Sequence, residues 1–272
     1  MRRIEPYWYA IGLIGAVAAA IFGYHLATGI NPPRAALTLS GFSIYWYGIW
    51  IVTGVALGAW VVSRLAAERA RRTFAAAVPA DLRDQPLADA GLPEDVAALL
   101  ADRQFTTLGA ALYEAGLDPR RLGLKRPEAE RVVAALAAVP GVERGWTADA
   151  PWRVWNPDHA WNALVLLLIL GLVGARLYHI LTPSPSMAAI GIYSPLDYFR
   201  NPLHLLNFLG GGLCLYDAIA GGLLGVLIYT RRNRLPTLGW ADLAVVGTAL
   251  GQAVGRWGNF LNQEPSGRPP PR

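Results

Sequence analysis

The segment GQAVGRWGNFLNQEPSGR, residues 251–268, continues an apolar run that begins at Ala241. Within that run it brings together an arginine, several amides and a carboxylate. A charged side chain at membrane depth costs roughly 2.5–3.5 kcal/mol on insertion scales, so a chain that keeps one there has a use for it. At about 100° per residue, Gln252, Arg256, Asn259 and Gln263 share one helix face. Gly247, Gly251, Gly255 and Gly258 form a second stripe beside it. Glycine stripes let helices approach closely in lipid. The expectation is a tightly packed helix that points one cation and several amides into a polar cavity.

Composition points the same way. Of the 272 residues 54% are hydrophobic and only 16% charged, a balance that favours a membrane protein over a soluble one. Ten Trp and eleven Tyr suit the aromatic belts of a bilayer interface. The net charge of +5 fits cytoplasmic Lys/Arg loops better than nucleic-acid binding, which is not expected. The single cysteine, Cys214, excludes an intramolecular disulfide and a cysteine-built zinc site. His25, His159, His179 and His204 show no metal-ligand spacing.

Working outward from the segment gives five candidate spans, at about 7–30, 42–62, 160–181, 213–229 and 241–262. The first follows Met-Arg-Arg as a signal peptide would, but its apolar run is long enough to span and no small-x-small cleavage site follows. Arg2 and Arg3, then Arg64, Arg69, Arg71 and Arg72, then Arg231, Arg232 and Arg234 agree with one alternating topology under the positive-inside rule. It puts the N-terminus in the cytoplasm and the end of the last span toward the outer face. Residues 65–157 are more polar and carry short amphipathic runs such as PEDVAALLADRQF and PEAERVVAALAAVPGV. Pro127 opens the second at a plausible first helical position. The basic stretch GLDPRRLGLKRPEAE is read as a solvated face, with contact to anionic lipid as the other reading.

The expected fold is therefore an all-α polytopic membrane protein of about five transmembrane helices with a mostly helical cytoplasmic insertion. Residues 1–64 hold two helices, 65–157 the insertion, and 158–272 a transmembrane core that ends in the 251–268 segment.

GQAVGRWGNFLNQEPSGR resembles the signature of the prolipoprotein diacylglyceryl transferases. FSIYWYG (42–48), VGARLYHIL (173–181), NPLHLLNFLGGGLCLYDAIAGGLLG (201–225) and WADL, with Asp242, resemble further motifs of that family in the same order. The resemblance implies an enzyme of the bacterial plasma (inner) membrane that works in lipoprotein biosynthesis. Its partners would be phosphatidylglycerol, the signal-peptide region of a prolipoprotein and the lipid bilayer. It implies no metal or organic cofactor, and no oligomer is expected.

By the same resemblance Arg256 and Asn259 match the signature arginine and asparagine, and Glu264 and Gly267 its acidic residue and closing glycine. Tyr47 matches the functional tyrosine of the WYG motif, and Tyr216 a position held by histidine or tyrosine. Arg176 and Asp242 match supporting residues. Asp217 departs from a usual glycine, and Pro265 and Ser266 depart from an aliphatic–aromatic pair. The family pattern also continues beyond Arg272 with a His-Pro motif and two more helices, so a C-terminally truncated chain is expected.

The implied chemistry needs negative charge on a leaving phosphate to be stabilised and a thiol to lose its proton. A guanidinium offers a planar fork that matches phosphate oxygens, which makes Arg256 the candidate clamp with Asn259 and Gln252 as neutral donors. The base stays open among Tyr216, Asp217, Glu264 and His204. Asp217 is also placed to pair with Arg176 or Arg256. A transporter or channel built around an arginine site is the competing class, and an inactive fragment that keeps only lipid binding is a third reading.

Overall fold

In the computed structural model, residues 6–30, 33–39, 42–183, 187–188, 191–200 and 215–262 are described. Their helices in chain order are α1 (Pro6–Thr28), α2 (Trp46–Ala77), α3 (Ala80–Asp84), α4 (Glu94–Asp102), α5 (Leu108–Leu117), α6 (Arg126–Ala138), α7 (Gly145–Ala148), α8 (Asp158–Leu181), α9 (Pro195–Arg200), α10 (Leu215–Arg232) and α11 (Thr237–Leu261). A short hairpin of β1 (Ala35–Leu39) and β2 (Phe42–Tyr45) precedes α2. Contacts divide the chain into two compact units, Met1–Gly58 with Val245–Arg272, and Ala59–Ala244.

A long helix stands over each predicted apolar stretch. Two of them, α2 and α8, are long and apolar enough to cross a membrane, and Gly12–Thr28 of α1 is a shorter apolar helix. The start of the second stretch departs from prediction. Phe42–Tyr45 is a strand, and the helix begins only at Trp46 and runs past Arg64 to Ala77. The strand forms because alternating Phe-Ser-Ile-Tyr pairs with Ala35–Leu39, and the Thr38 and Ser43 hydroxyls meet at 3.1 Å across the pair. The all-α expectation is corrected to that extent.

In the first unit, α2 and α11 meet backbone to backbone. A Cβ at Gly54 would lie 2.6 Å from the Gly251 carbonyl oxygen, and one at Gly58 would lie 2.6 Å from that of Gly247. The predicted glycine stripe is thus half of a two-sided contact whose other half is on α2. A different face of α11 carries Val254, Trp257 and Leu261, which pack with Ala18, Ile14 and Ile21 of α1 and with Trp46 and Trp50 of α2. Phe22 meets the edges of Trp257 and Phe260 at 6.0 and 6.2 Å, spacings at which aromatic pairs attract.

In the second unit, α8 and α10 pack by the same device. A Cβ at Gly221 would collide with the Leu170 carbonyl oxygen, and one at Gly225 would lie 3.2 Å from the Leu167 Cα. The segment 80–150 is built otherwise. Val96 and Leu100 of α4, Leu108 and Leu112 of α5, Leu122, and Val132 and Leu136 of α6 bury their side chains in one cluster. Their i, i+4 spacing on each helix is the amphipathic pattern read from the sequence. A second cluster around Trp146, Trp152 and Leu117 includes Ala70 and Val78, the first from the C-terminal part of α2. Trp152 donates its indole N–H to the Tyr113 carbonyl at 3.1 Å, and its ring fills the space beside Gly116.

Local capping explains several boundaries. Asn156 accepts a 3.0 Å bond from the Asp158 backbone N–H and starts α8. Glu128 accepts one from the Lys125 N–H at 3.1 Å, the reciprocal half of a capping box at α6. Lys125 is the N-cap, so Pro127 stands second in the helix rather than first. The arginines of the basic stretch 116–130 are paired: Arg120 with Asp118 and Arg126 with Glu130 inside it, and Arg121 with Glu114 and Asp158 outside it.

Candidate functional site

The polar face predicted for the last helix is present on α11. Gln252 and Arg256 are exposed, and Asn259, one turn further on, is half-buried. The adjacent glycine face is turned into α2, and the Val254–Trp257–Leu261 face is turned into the apolar cluster with α1. With two faces covered, the third is the open one. Among the described residues Arg256 forms no ion pair. Among the described residues its fork of N–H donors therefore meets no carboxylate, and it shares its helix face with the amides Gln252 and Asn259.

Tyr47 is brought to this helix. It lies in the first turn of α2, 39% exposed, and its backbone and ring edge pack against Gly258. A Cβ at Gly258 would lie 3.2 Å from Tyr47 Cδ2 and 3.4 Å from its Cα. Glycine at 258 thus admits the WYG turn against the helix that bears Arg256 and Asn259. Two residues outside the sequence-based assignment also frame the site. Trp50 is 4% exposed, and its indole nitrogen has no hydrogen-bond partner among the described residues; its ring lies 6.1 Å from that of Trp257. The available signal was the i, i+4 pair Trp46–Trp50 beside the WYG motif.

The other candidates fall elsewhere. Asp242 is exposed on α11 in the second unit, six positions into the helix rather than at its opening. Arg176 of α8 is buried at 6% exposure, with its guanidinium carbon 5.6 Å from the Tyr198 ring centroid. Tyr216 and Asp217 lie in the first turn of α10, and their side chains are outside the described residues. So are Gln263, Glu264, Pro265, Ser266, Gly267, His204 and Cys214.

His159 has a defined set of neighbours of another kind. His159 Nδ1 lies 3.0 Å from the Tyr229 hydroxyl, and the ring meets the edge of Trp240. Trp240 in turn stacks on Trp155 and donates to the Val154 carbonyl at 2.9 Å. Arg69 lies over the Trp155 ring at 5.0 Å and donates to the Gly239 carbonyl at 3.1 Å. This junction ties α2, α8 and α11 within the second unit and is fully occupied by its own contacts.

An arginine–amide face on a glycine-packed helix, in a chain with helices of membrane-spanning length, defines an apolar helical protein with one polar helix face left open. A family model described as prolipoprotein diacylglyceryl transferase matches residues 131–271, just over half the chain. The chain belongs to that family. Relatives named phosphatidylglycerol–prolipoprotein diacylglyceryl transferase share the match. The one from Chloroflexus aggregans is 40% identical over 138 residues, which cover 51% of this chain and 39% of the relative. The one from Trichormus variabilis is 33% identical over 166 residues, 61% of this chain and 52% of the relative. A second such transferase of Streptomyces coelicolor is 44% identical over 102 residues, 36% of this chain and 29% of the relative. The chain thus spans about half or less of the length of these curated relatives.

Proposed function

We propose that this protein transfers the diacylglyceryl group of phosphatidylglycerol to the lipobox cysteine thiol of a prolipoprotein in the bacterial plasma membrane. The observation that carries the reading is the open Gln252–Arg256–Asn259 face, held beside Tyr47 by the glycine contact of α11 with α2. Family membership and the names of the relatives supply the substrate class.

In this reading α1, α2, α8, α10 and α11 each cross the membrane, with the N-terminus cytoplasmic and Arg256 toward the outer face. Segment 65–157 is then a cytoplasmic insertion. Arg256 clamps the phosphate of the lipid, and Gln252 and Asn259 complete the donor set around it. The thiolate sulfur attacks the glycerol carbon that bears the phosphate ester. The carbon–oxygen bond breaks, a thioether forms, and glycerol phosphate leaves with the bonding electron pair. Charge that develops on the departing phosphate is stabilised most by donors fixed before the reaction in a site of low dielectric. The thiol titrates near 8.5 unperturbed, so modest assistance from a base removes its proton. Tyr216 and Glu264 are the candidates for that proton, and Gly267, Asp217, Arg176 and Asp242 support the site.

The test uses membranes that contain the chain, acyl-labelled phosphatidylglycerol and a peptide with a lipobox cysteine. Mass spectrometry reads the diacylglyceryl thioether. Arg256→Ala is expected to abolish product while leaving membrane insertion intact. Near-normal transfer by that variant sinks the phosphate-clamp assignment. Saturable solute flux with no covalent product would replace the enzyme with a transporter.

A further inference from the structure

The turn between α10 and α11 carries Arg231, Arg232 and Arg234, all three exposed. Among the described residues none of them forms an ion pair. The backbone that displays them is fixed. The Leu235 N–H donates to the Thr230 carbonyl at 2.8 Å and the Arg234 N–H to the Arg231 carbonyl at 3.3 Å, which closes α10 in a Schellman motif. The Thr230 and Thr237 hydroxyls meet at 2.9 Å across the turn, and Asn233 Nδ2 donates to the Tyr229 carbonyl at 2.8 Å. Leu235 is buried with Ala66, Ala160 and Trp240.

Arg234 holds the left-handed position of this motif, at φ 54°. Glycine takes that conformation without strain and is its usual occupant, whereas a Cβ there crowds the backbone. The fold alone would be served better by glycine. The arginine therefore asks for a partner outside the chain.

The surroundings of the turn say what that partner is. His159 Nδ1 lies 3.0 Å from the Tyr229 hydroxyl, which sets the turn beside the N-terminal end of α8, a helix of membrane-spanning length. Aromatic side chains gather at that level: Trp155 stacked on Trp240, Tyr229, and Trp161, which is exposed. Trp and Tyr concentrate where a bilayer presents its headgroups. Leu223, Leu224 and Leu227 are exposed on α10 before the turn, and Leu238, just after it, is 83% exposed. Cations at the rim of an exposed apolar surface match anionic headgroups above acyl chains.

We propose that Arg231, Arg232 and Arg234, with Leu238 beside them, form a docking surface for anionic phospholipid headgroups of the leaflet at the N-terminal end of α8. In the topology proposed above this is the cytoplasmic leaflet. The inference rests on the membrane-spanning reading of α8 and α10 and not on the transfer chemistry. The arginines meet the headgroup charge from a turn that is already rigid, and Leu238 enters the acyl layer below them.

The experiment uses the full chain, purified in neutral detergent and offered phosphatidylserine and phosphatidylcholine with the same acyl chains. Native mass spectrometry reads retention of each at low and at raised salt. The parent is expected to prefer phosphatidylserine, with a preference that fades as salt rises. Arg234→Gly is expected to weaken phosphatidylserine retention about fivefold and to leave phosphatidylcholine unchanged. The same substitution is expected to keep unliganded thermal stability level or raise it, because glycine suits the left-handed position. Arg231→Gln together with Arg232→Gln leaves that position untouched and is expected to act in the same direction on retention. Equal retention of both lipids by the parent overturns the proposal, as does unchanged retention in both variants. A clear fall in unliganded stability with Arg234→Gly overturns it too, since the side chain would then serve the fold. Phosphatidylserine retention that is lost with Arg256→Ala and kept in both turn variants would move the anionic lipid to the Arg256 face and sink this one. Alkaline carbonate treatment of membranes reads the underlying topology separately. A parent chain that washes out removes the membrane reading and the proposal with it, whereas an embedded chain without headgroup preference removes the docking surface alone.

Discussion

Two regions of this chain are held together by opposite means. The contact of α2 with α11 works through missing side chains: Gly54 and Gly58 face Gly251 and Gly247 so closely that a single Cβ has no room. The cluster in 80–150 works through side chains present, with Leu100, Leu108, Leu112, Val132 and Leu136 all fully buried. On the proposed topology the difference follows from the solvent around each region. Lipid tails are as apolar as leucine, so burial drives little association there, and close backbone approach with its dispersion contacts takes over. In water the removal of apolar area is the dominant favourable term, at roughly 25 cal/mol per Å². Residues 65–157 therefore read as polar outside and aliphatic inside, while the stripe of α11 reads as glycine.

This comparison can be broken at either end. The largest effect is expected in the aliphatic cluster. Leu112→Ala should lower stability by about 2–5 kcal/mol, the range for buried leucine truncation. Limited proteolysis should then cut first within 80–150, while the α2–α11 pair stays protected. Cleavage that begins in α2 or α11 would show that the two regions do not differ as argued.

The next effect is a reversal of sign within one helix. Gly54→Ala places a methyl group 2.6 Å from a backbone oxygen that cannot swing aside. It should destabilise by about 1–3 kcal/mol, as overpacking does. Gly48→Ala meets nothing within 4 Å and should be neutral or stabilising, by up to about 1 kcal/mol for relief of a helical glycine. Thermal unfolding in detergent reads both. Equal shifts would remove the backbone contact as the cause.

A third outcome concerns the site that the glycine contact positions. Tyr216→Phe should lower transfer less than Arg256→Ala does, because an unperturbed phenol near 10 is a poor base at neutral pH. Equal loss in the labelled-lipid assay would give that hydroxyl the larger part. The smallest effect is electrostatic. The Asp118 carboxyl is held below its ordinary 3.8, chiefly by the hydrogen bond from the Arg120 guanidinium and also by the Arg120 backbone N–H, against its partial burial. A depressed folded value means the contribution is present above the ordinary value and fades as pH falls through the lower one. Asp118→Asn should therefore cost a little stability at pH 7, and the gap to the parent should narrow below 3.8. A gap that widens in acid would contradict this.

Much of the fold was legible in advance because helices are written locally. Apolar run length marked the long helices and amphipathic spacing marked α4 and α6, and apart from Phe42–Tyr45 the described part of each stretch is mainly helical. The Gln252–Arg256–Asn259 face and the glycine face beside it followed from angular spacing alone. What failed to show was non-local or short. Phe42–Tyr45 looked like the start of a helix because its four-residue alternation is too short to stand out from the apolar run it leads into, and its strand partner lies outside that run. The last span, read from about Ala241, starts four residues earlier at Thr237, because nothing from there onward breaks the helix.

Periodicity and composition pointed to a glycine-packed helix with a cation on its polar face, and to a more polar segment with amphipathic runs. Pairing across the chain needed the folded structure. That Gly54 and Gly58 answer the α11 stripe, that Tyr47 settles on Gly258, and that Tyr198 closes over Arg176 and His179 are choices among many sterically similar partners. The reason is physical. A helix face depends on residues three and four apart, whereas a contact between elements depends on which complementary surface lies within reach once the backbone has folded.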